Sequence, residues 1–309
     1  MPHPQALSRG KSRDPKTDLK PAPFTYHDPR SIDEATALLA SLQNARLLAG
    51  GQSLMPMMNF RFAMPDHLID LNTVEGIGGI EFEGDTLRLG AMTRQRDIEL
   101  SGEIGERCAV LQEALAHVGH RQTRNRGTLG GSLCHLDPSA ELANVAALLD
   151  GTLHAISKRG ARDIPMAQFA AGFMTTSLEP DELLAGVSLR MPAREVGHAF
   201  VELARRHGDF AIVACSALLE LGRDGAITRA RLAISGLAHG PIRPASIERA
   251  LAGHPPGAQA FKAAAAEASK LEAAADAYVT AEYRKHLARV LTYRALEQAA
   301  ARAAESVLA

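Results

Sequence analysis

Arg126–Glu141 reads R-G-T-L-G-G-S-L-C-H-L-D-P-S-A-E. The span holds a glycine pair (Gly130, Gly131), flanking hydroxyls (Thr128, Ser132) and two carboxylates (Asp137, Glu141). It lies between an apolar helical pattern at Val110–Val118 and another at Glu141–Leu149, so it is expected to be a binding loop. Glycines let a backbone approach a ligand closely, and successive N–H groups can form an anion-holding concavity. A phosphorylated ligand is the first expectation.

A second glycine pair, Gly50-Gly51, stands ahead of Ser53 much as Gly130-Gly131 stands ahead of Ser132. One such pair is more simply a tight turn. Two of them can clamp a pyrophosphate from both sides, because that group needs converging N–H and O–H donors with no side chain in the way. Neither pair fits the dinucleotide fingerprint or the P-loop. Gly76-Ile77-Gly78-Gly79 fails as well, since Glu81 occupies the place of the last glycine.

Toward the N-terminus from these glycines, Phe24-Thr25-Tyr26 alternates as a strand, and Ser31-Ile32-Asp33-Glu34 has capping-box spacing before the apolar run Ala35–Leu42. Ala45–Ala49 and His67–Leu71 read as strands that close a small β-α-β-type unit. Ile80–Gly90 forms two alternating runs about Gly84-Asp85, a hairpin signal that opens a second subdomain. Further strands are expected at Thr152–Ile156 and Glu182–Leu189. After Pro192-Ala193-Arg194-Glu195, Ala199–Ala204, Ala211–Leu221 and Ala226–Ile234 predict an antiparallel sheet, and Ala245–Leu251, Ala258–Ala275 and Ala281–Ala300 predict helices.

The 309 residues allow two or three packed units, and 34 basic against 35 acidic residues exclude the charge surplus that draws a protein to nucleic acid or an anionic membrane. Aromatic residues make up 4% of the chain and tryptophan is absent, so base-stacking platforms are scarce. Cys108, Cys134 and Cys215 are too dispersed for a disulfide framework, a zinc site or an iron–sulfur cluster held by this chain alone, and a cytoplasmic location is expected. The sequence shows neither a secretory apolar core nor a membrane-length apolar run, and residues 1–20 have the composition of a disordered tail.

Asp137, ahead of Pro138, is a candidate acceptor for ligand hydroxyls; its plainer reading is a turn-initiating carboxylate. Glu141 reads most simply as a helix N-terminal charge. His117 and His120 could share a helix face, but no acidic or sulfur ligand stands at a metal-binding spacing from them. Arg121, Arg124 and Arg126 read as a solvated or phosphate-facing cluster. No Ser-His-Asp or Cys-His arrangement can be assigned from spacing.

Leu47–Pro56 (L-L-A-G-G-Q-S-L-M-P) together with Thr128–Pro138 (T-L-G-G-S-L-C-H-L-D-P) resembles the two FAD-binding signatures of the medium, flavoprotein subunit of molybdenum hydroxylases, the relatives of carbon monoxide dehydrogenase and xanthine dehydrogenase. The resemblance extends to Phe24–Leu38, Arg205–Asp209 and Tyr283–Leu296. It implies an α+β fold: a PCMH-type FAD-binding domain over 21–195 (subdomains 21–78 and 79–195), then over 196–309 a C-terminal α+β domain with an antiparallel sheet, like that of CO dehydrogenase flavoproteins.

Carried over by position, Ala49, Gly50, Gly51, Gln52, Ser53 and Leu54 would hold the FAD pyrophosphate, and Thr128, Leu129, Gly130, Gly131 and Ser132 would close over it. Asp137 and Leu184 would be further cofactor contacts, Val118 would lie nearby, and Val201 stands where relatives often carry Lys. The resemblance also implies a large molybdopterin subunit and a small subunit with two 2Fe-2S clusters as partners, in a dimer of heterotrimers. This chain would pass electrons through FAD to an external acceptor, with no catalytic acid or base of its own. The alternatives are a stand-alone FAD oxidoreductase of related fold and a non-catalytic nucleotide-binding module.

Overall fold

A computed structural model describes residues 19–308; the expected N-terminal tail lies almost wholly outside the described residues. The chain opens with β1 (Thr25–His27), α1 (Ile32–Ser41), β2 (Ala45–Leu48), α2 (Leu54–Asn59) and β3 (His67–Asp70). The strands form a parallel sheet in the order β1-β3-β2. Ser31 caps α1 by accepting from the Glu34 N–H at 3.2 Å, and the Glu34 carboxylate accepts from the Arg30 N–H at 2.7 Å. The reciprocal bond thus falls one residue ahead of the cap.

The next unit contains β4 (Ile80–Glu83), β5 (Thr86–Gly90), α3 (Gln95–Leu100), α4 (Gly102–Arg107), α5 (Ala109–His117), α6 (Arg121–Arg126), α7 (Leu129–His135) and α8 (Glu141–Leu148). It continues through β6 (Thr152–Ser157), β7 (Gly160–Pro165), α9 (Met166–Phe169), β8 (Ala170–Gly172), β9 (Thr175–Thr176) and β10 (Leu183–Arg190). Five of these strands make an antiparallel sheet in the order β4-β5-β10-β6-β7. Strand β7 escaped the sequence reading because only Ile164 of Gly160–Pro165 is buried, so its run carries no apolar alternation.

The last unit is β11 (Gly197–Leu203), β12 (Val213–Leu221), β13 (Ile227–Ser235), α10 (Ala245–Leu251), α11 (Ala258–Ala268) and α12 (Ala281–Leu308). The expected antiparallel meander is present. Helix α11 stops at Ala268 rather than Ala275, and the chain turns back so that the Ala274 N–H donates to Leu237 O at 2.8 Å. That tertiary bond outweighs the helix propensity of the alanines.

Strand β12 is buried on both faces, which explains its near-continuous apolar run. Ala214 and Leu218, with Phe200 and Ala233, join the core that contains α5 and α8. Val213, Cys215, Ala217 and Leu219 face the core built with α10, α11 and α12. Period-two alternation therefore welds the C-terminal sheet to the preceding unit.

At the centre of that weld Asn144 donates to Ser235 Oγ at 3.0 Å and to Ala233 O at 3.2 Å, and accepts from the Ser216 hydroxyl, all fully buried. Asn144→Ala leaves these groups without partners and is expected to lower stability by about 2 kcal/mol, read as a shift of the urea midpoint at constant slope.

Candidate functional site

Strand β2 delivers Ala49 and Gly50 to the edge of the first sheet. Gly51 then takes the left-handed conformation (φ 72°), which suits glycine. Among the described residues, the N–H groups of Gly50, Gly51, Gln52 and Ser53 meet no protein acceptor, whereas Met55 N–H already closes on Gly51 O at 3.2 Å. The Gln52 side-chain amide donates to Gly50 O at 3.2 Å, and the Ser53 hydroxyl makes no capping bond. A run of free backbone donors is an anion-binding feature.

The second segment is not a loop. Thr128 starts α7 by accepting from the Gly131 N–H at 3.0 Å, and Leu136, left-handed at φ 47°, ends it. Leu129 N–H donates to Thr93 O at 3.0 Å and Gly130 N–H to Ala91 O at 2.8 Å. These donors are already engaged. The glycines that suggest a loop in sequence serve close packing here: a Cβ on Gly130 would lie 2.6 Å from Ala91 Cβ. One on Gly131 would lie 2.8 Å from Thr128 Oγ1 and 3.3 Å from Ala49 Cβ. What α7 presents toward the first segment is the bare backbone of Gly131; the next residue, Ser132, is half-buried and its hydroxyl has no partner among the described residues.

The two glycine segments meet directly. A Cβ on Gly50 would come within 2.4 Å of Arg126 O and 2.8 Å of Gly127 Cα. A polar bridge that the sequence did not advertise holds the seam. Arg94 donates to Arg126 O at 2.5 Å and to Asn72 Oδ1 at 2.6 Å, while the Asn72 amide donates to Ala49 O at 3.0 Å and to Asp70. Burial and the neighbouring Arg126 lower the Arg94 pKa. Asn72 and Arg94 sit in no motif, so only the fold identifies them.

Other expected residues lie around this seam. Leu184 is buried in β10; its neighbour Ala185 accepts from the Ala91 N–H at 2.9 Å, and Ala91 O in turn accepts from Gly130. Asp137 follows α7 and accepts from the Ser139 N–H at 2.9 Å, the turn geometry of its plainer reading. Val118 caps the C-terminus of α5, and Val201 packs against the C-terminal core on the α12 side of β11. Arg124 is not solvated: it is buried and pairs with Glu99 at 2.8 Å. Cys134 keeps solvent access although protein surrounds it on most sides, which pushes its thiol up to about 12.

Glu141 is 3% exposed, and burial, reinforced by Glu202, pushes its pKa up to about 8. Glu141 does open α8, as its plainer reading has it, but its burial there works against the charge that the helix N-terminus favours. His117, bonded to Glu202 at 3.2 Å, is raised by that carboxylate. Both groups bind protons more tightly folded than unfolded, so their stabilisation is complete on the acid side and is lost as pH rises through the folded values, about 8 for Glu141. Melting temperature is expected to fall across that window, and Glu141→Gln to flatten the fall, in calorimetric scans against pH.

Free N–H groups, two hydroxyls without partners and a seam that a side chain at position 131 would fill fit the pyrophosphate of a dinucleotide cofactor. A family model described as FAD binding domain in molybdopterin dehydrogenase matches residues 22–192, and another, CO dehydrogenase flavoprotein C-terminal domain, matches residues 198–299. Caffeine dehydrogenase subunit beta of Pseudomonas sp. (strain CBB1) is 38% identical, with 92% of this chain and 97% of that one covered. The carbon monoxide dehydrogenase medium chain of Hydrogenophaga pseudoflava is 35% identical, with 92% and 99% covered. The solved structure of carbon monoxide dehydrogenase from that organism, lacking the Mo-pyranopterin moiety of its molybdenum cofactor, aligns with a TM-score of 0.88 at 36% identity over 91% of this chain and 99% of that one. Quinoline 2-oxidoreductase from Pseudomonas putida 86 aligns with a TM-score of 0.88 at 34% identity, covering 92% and 99%.

Proposed function

The chain belongs to the FAD-binding medium subunits of the molybdenum hydroxylases, and from that premise we propose that it passes electrons from the 2Fe-2S clusters of a small partner subunit to an external acceptor. The observation that carries the assignment of the site is the run of free N–H groups from Gly50 to Ser53 beside the bare backbone of Gly131, where an added Cβ would lie 3.3 Å from Ala49 Cβ. Ala49, Gly50, Gly51, Gln52, Ser53 and Leu54 bind the pyrophosphate on one side. Thr128, Leu129, Gly130 and Gly131 shape the other wall, Ser132 donates to it, and Asp137 and Leu184 orient the remainder of the cofactor.

Bound FAD supplies a group that takes electrons singly and yields them in pairs. The chain's own task is to seat that group, and Arg94 and Asn72 keep the two walls at fixed separation. The PCMH-type domain spans 21–195 and the C-terminal domain 196–309. The working complex is a cytoplasmic dimer of heterotrimers with a large molybdopterin subunit. Among the described residues, no helix is long and apolar enough to cross a membrane. Relatives of similar identity carry names for caffeine, carbon monoxide and nicotine chemistry, which supports placing substrate choice in another subunit.

The test is purification of the chain with its copurifying partners. The expected preparation is yellow, releases FAD on denaturation, and contains iron and molybdenum in separate subunits. A colourless chain that refuses added FAD would refute the assignment.

A further inference from the structure

The five-stranded sheet turns Leu153, Ala155, Ile164, Val187 and Leu189 to the core, and its other face carries Arg88, Thr152, His154 and Ser188. On that outer face three neighbouring strands set a serine, a histidine and an aspartate in a row. His154 on β6 is paired directly with Asp163 on β7, and its Nδ1 lies 2.7 Å from Asp163 Oδ1. Its Nε2 lies 2.7 Å from the Oγ of Ser188 on β10, and Ser188 itself is paired with Thr152, the previous outward residue of β6. The row has no spacing signature, because its members stand 9 and 34 residues from His154 and only the strand order β10-β6-β7 joins them.

The order of contacts assigns the roles. A carboxylate offers only acceptors, so Asp163 accepts from the Nδ1–H, and in the neutral ring Nε2 is then the acceptor for the Ser188 hydroxyl. In that arrangement an imidazole can draw the proton from a serine as its oxygen attacks. Polar pairs of many kinds stabilise an exposed sheet face, so stability does not call for serine, imidazole and carboxylate in this order. The row is open to solvent: Ser188 is half-buried, and the side chains of His154 and Asp163 are 31% and 69% exposed. On the far side of Ser188 stands Arg88 of β5, its direct partner in register, which puts their Cβ atoms about 5 Å apart on one face. Arg88 pairs with Glu83 through Nε at 2.9 Å, and its other guanidinium nitrogens have no protein partner among the described residues.

We propose that Ser188, His154 and Asp163 form a hydrolytic triad for small activated esters, a second catalytic site apart from the glycine seam. Ser188 Oγ bonds to the ester carbonyl carbon while its O–H bond breaks and the proton passes to His154 Nε2. Asp163 holds the imidazolium, and Arg88 meets the charge that develops on the carbonyl oxygen. The bond to the leaving oxygen then breaks, that oxygen takes the proton from Nε2, and Ser188 is left acylated. Water attacks the acyl carbon and gives a proton to Nε2, which returns it to Ser188 Oγ as a carboxylic acid departs. The sum is ester and water giving acid and alcohol, with no change of oxidation state. A flat sheet face grips little of a ligand, so the substrates are small acyl esters with good leaving groups.

The full chain with its copurifying partners is assayed with p-nitrophenyl acetate and, separately, treated with a fluorophosphonate, whose phosphorus bonds to an activated serine oxygen as fluoride leaves. Peptide mass spectrometry is expected to find the label on Ser188, and His154→Ala to abolish it. The Ser188→Ala protein sets the background hydrolysis of the complex. Above that background, His154→Ala should slow the reaction about a hundredfold and Asp163→Asn about tenfold or more, each at unchanged FAD content. A wild-type rate equal to that of Ser188→Ala overturns the triad, as does a Ser188 label that survives His154→Ala undiminished. A rate that needs His154 but survives Ser188→Ala shows the imidazole attacking the ester itself, and overturns Ser188 as the nucleophile.

Discussion

Gly131→Val will bind FAD about a hundredfold more weakly, a loss of about 3 kcal/mol, while the urea midpoint of the FAD-free protein moves little. The new Cβ lies 2.8 Å from Thr128 Oγ1 and 3.3 Å from Ala49 Cβ, and its two methyls extend into the seam between the glycine segments. Within the protein the net cost is small: disturbing the Thr128 cap costs about 1 kcal/mol, and valine's better helix propensity than glycine returns roughly a few tenths of that. The same change should therefore separate cofactor affinity from fold stability. Fluorescence titration with FAD beside a denaturation curve measures both, and unchanged affinity would show that the seam is not the cofactor's seat.

Arg94→Ala is the second large effect. Its guanidinium is the only link seen from the Arg126 carbonyl to Asn72, and thereby to Ala49, among the described residues. Hydrogen bonds to a charged group contribute about 1.5–3 kcal/mol each, and both are lost together. The two walls then drift, and FAD affinity is expected to fall about tenfold to a hundredfold, with a lower melting temperature. Arg94→Lys should rescue little, because an ammonium cannot reproduce the fork that reaches two acceptors at once. Full FAD affinity in Arg94→Ala would show that the walls hold without the bridge.

The strands of the C-terminal sheet, the Ser31 cap and the hairpin at Gly84-Asp85 are legible in sequence because they rest on local periods and local side-chain bonds. The span Arg126–Glu141 is legible only in part. Its glycines mark the site, yet Thr128 and Leu136 turn the middle into a helix, and Gly130 is needed by Ala91 rather than by a ligand. Glycine has the same letter whether it frees a loop or lets two backbones touch. Asn72, Arg94 and Glu202 carry no local signal, since each acts on partners remote in sequence.

By itself, then, the sequence determined the family, through two glycine segments whose residues recur in a fixed local order, and the periods of most strands and helices. The tertiary structure alone decided which donors at those segments remain free, what bridges them, and that the helix N-terminal Glu141 is a buried acid whose proton affinity burial raises. The reason is physical. Hydrogen-bond satisfaction and proton affinity depend on what distant parts of the chain bring within a few ångströms, and on how much water they exclude.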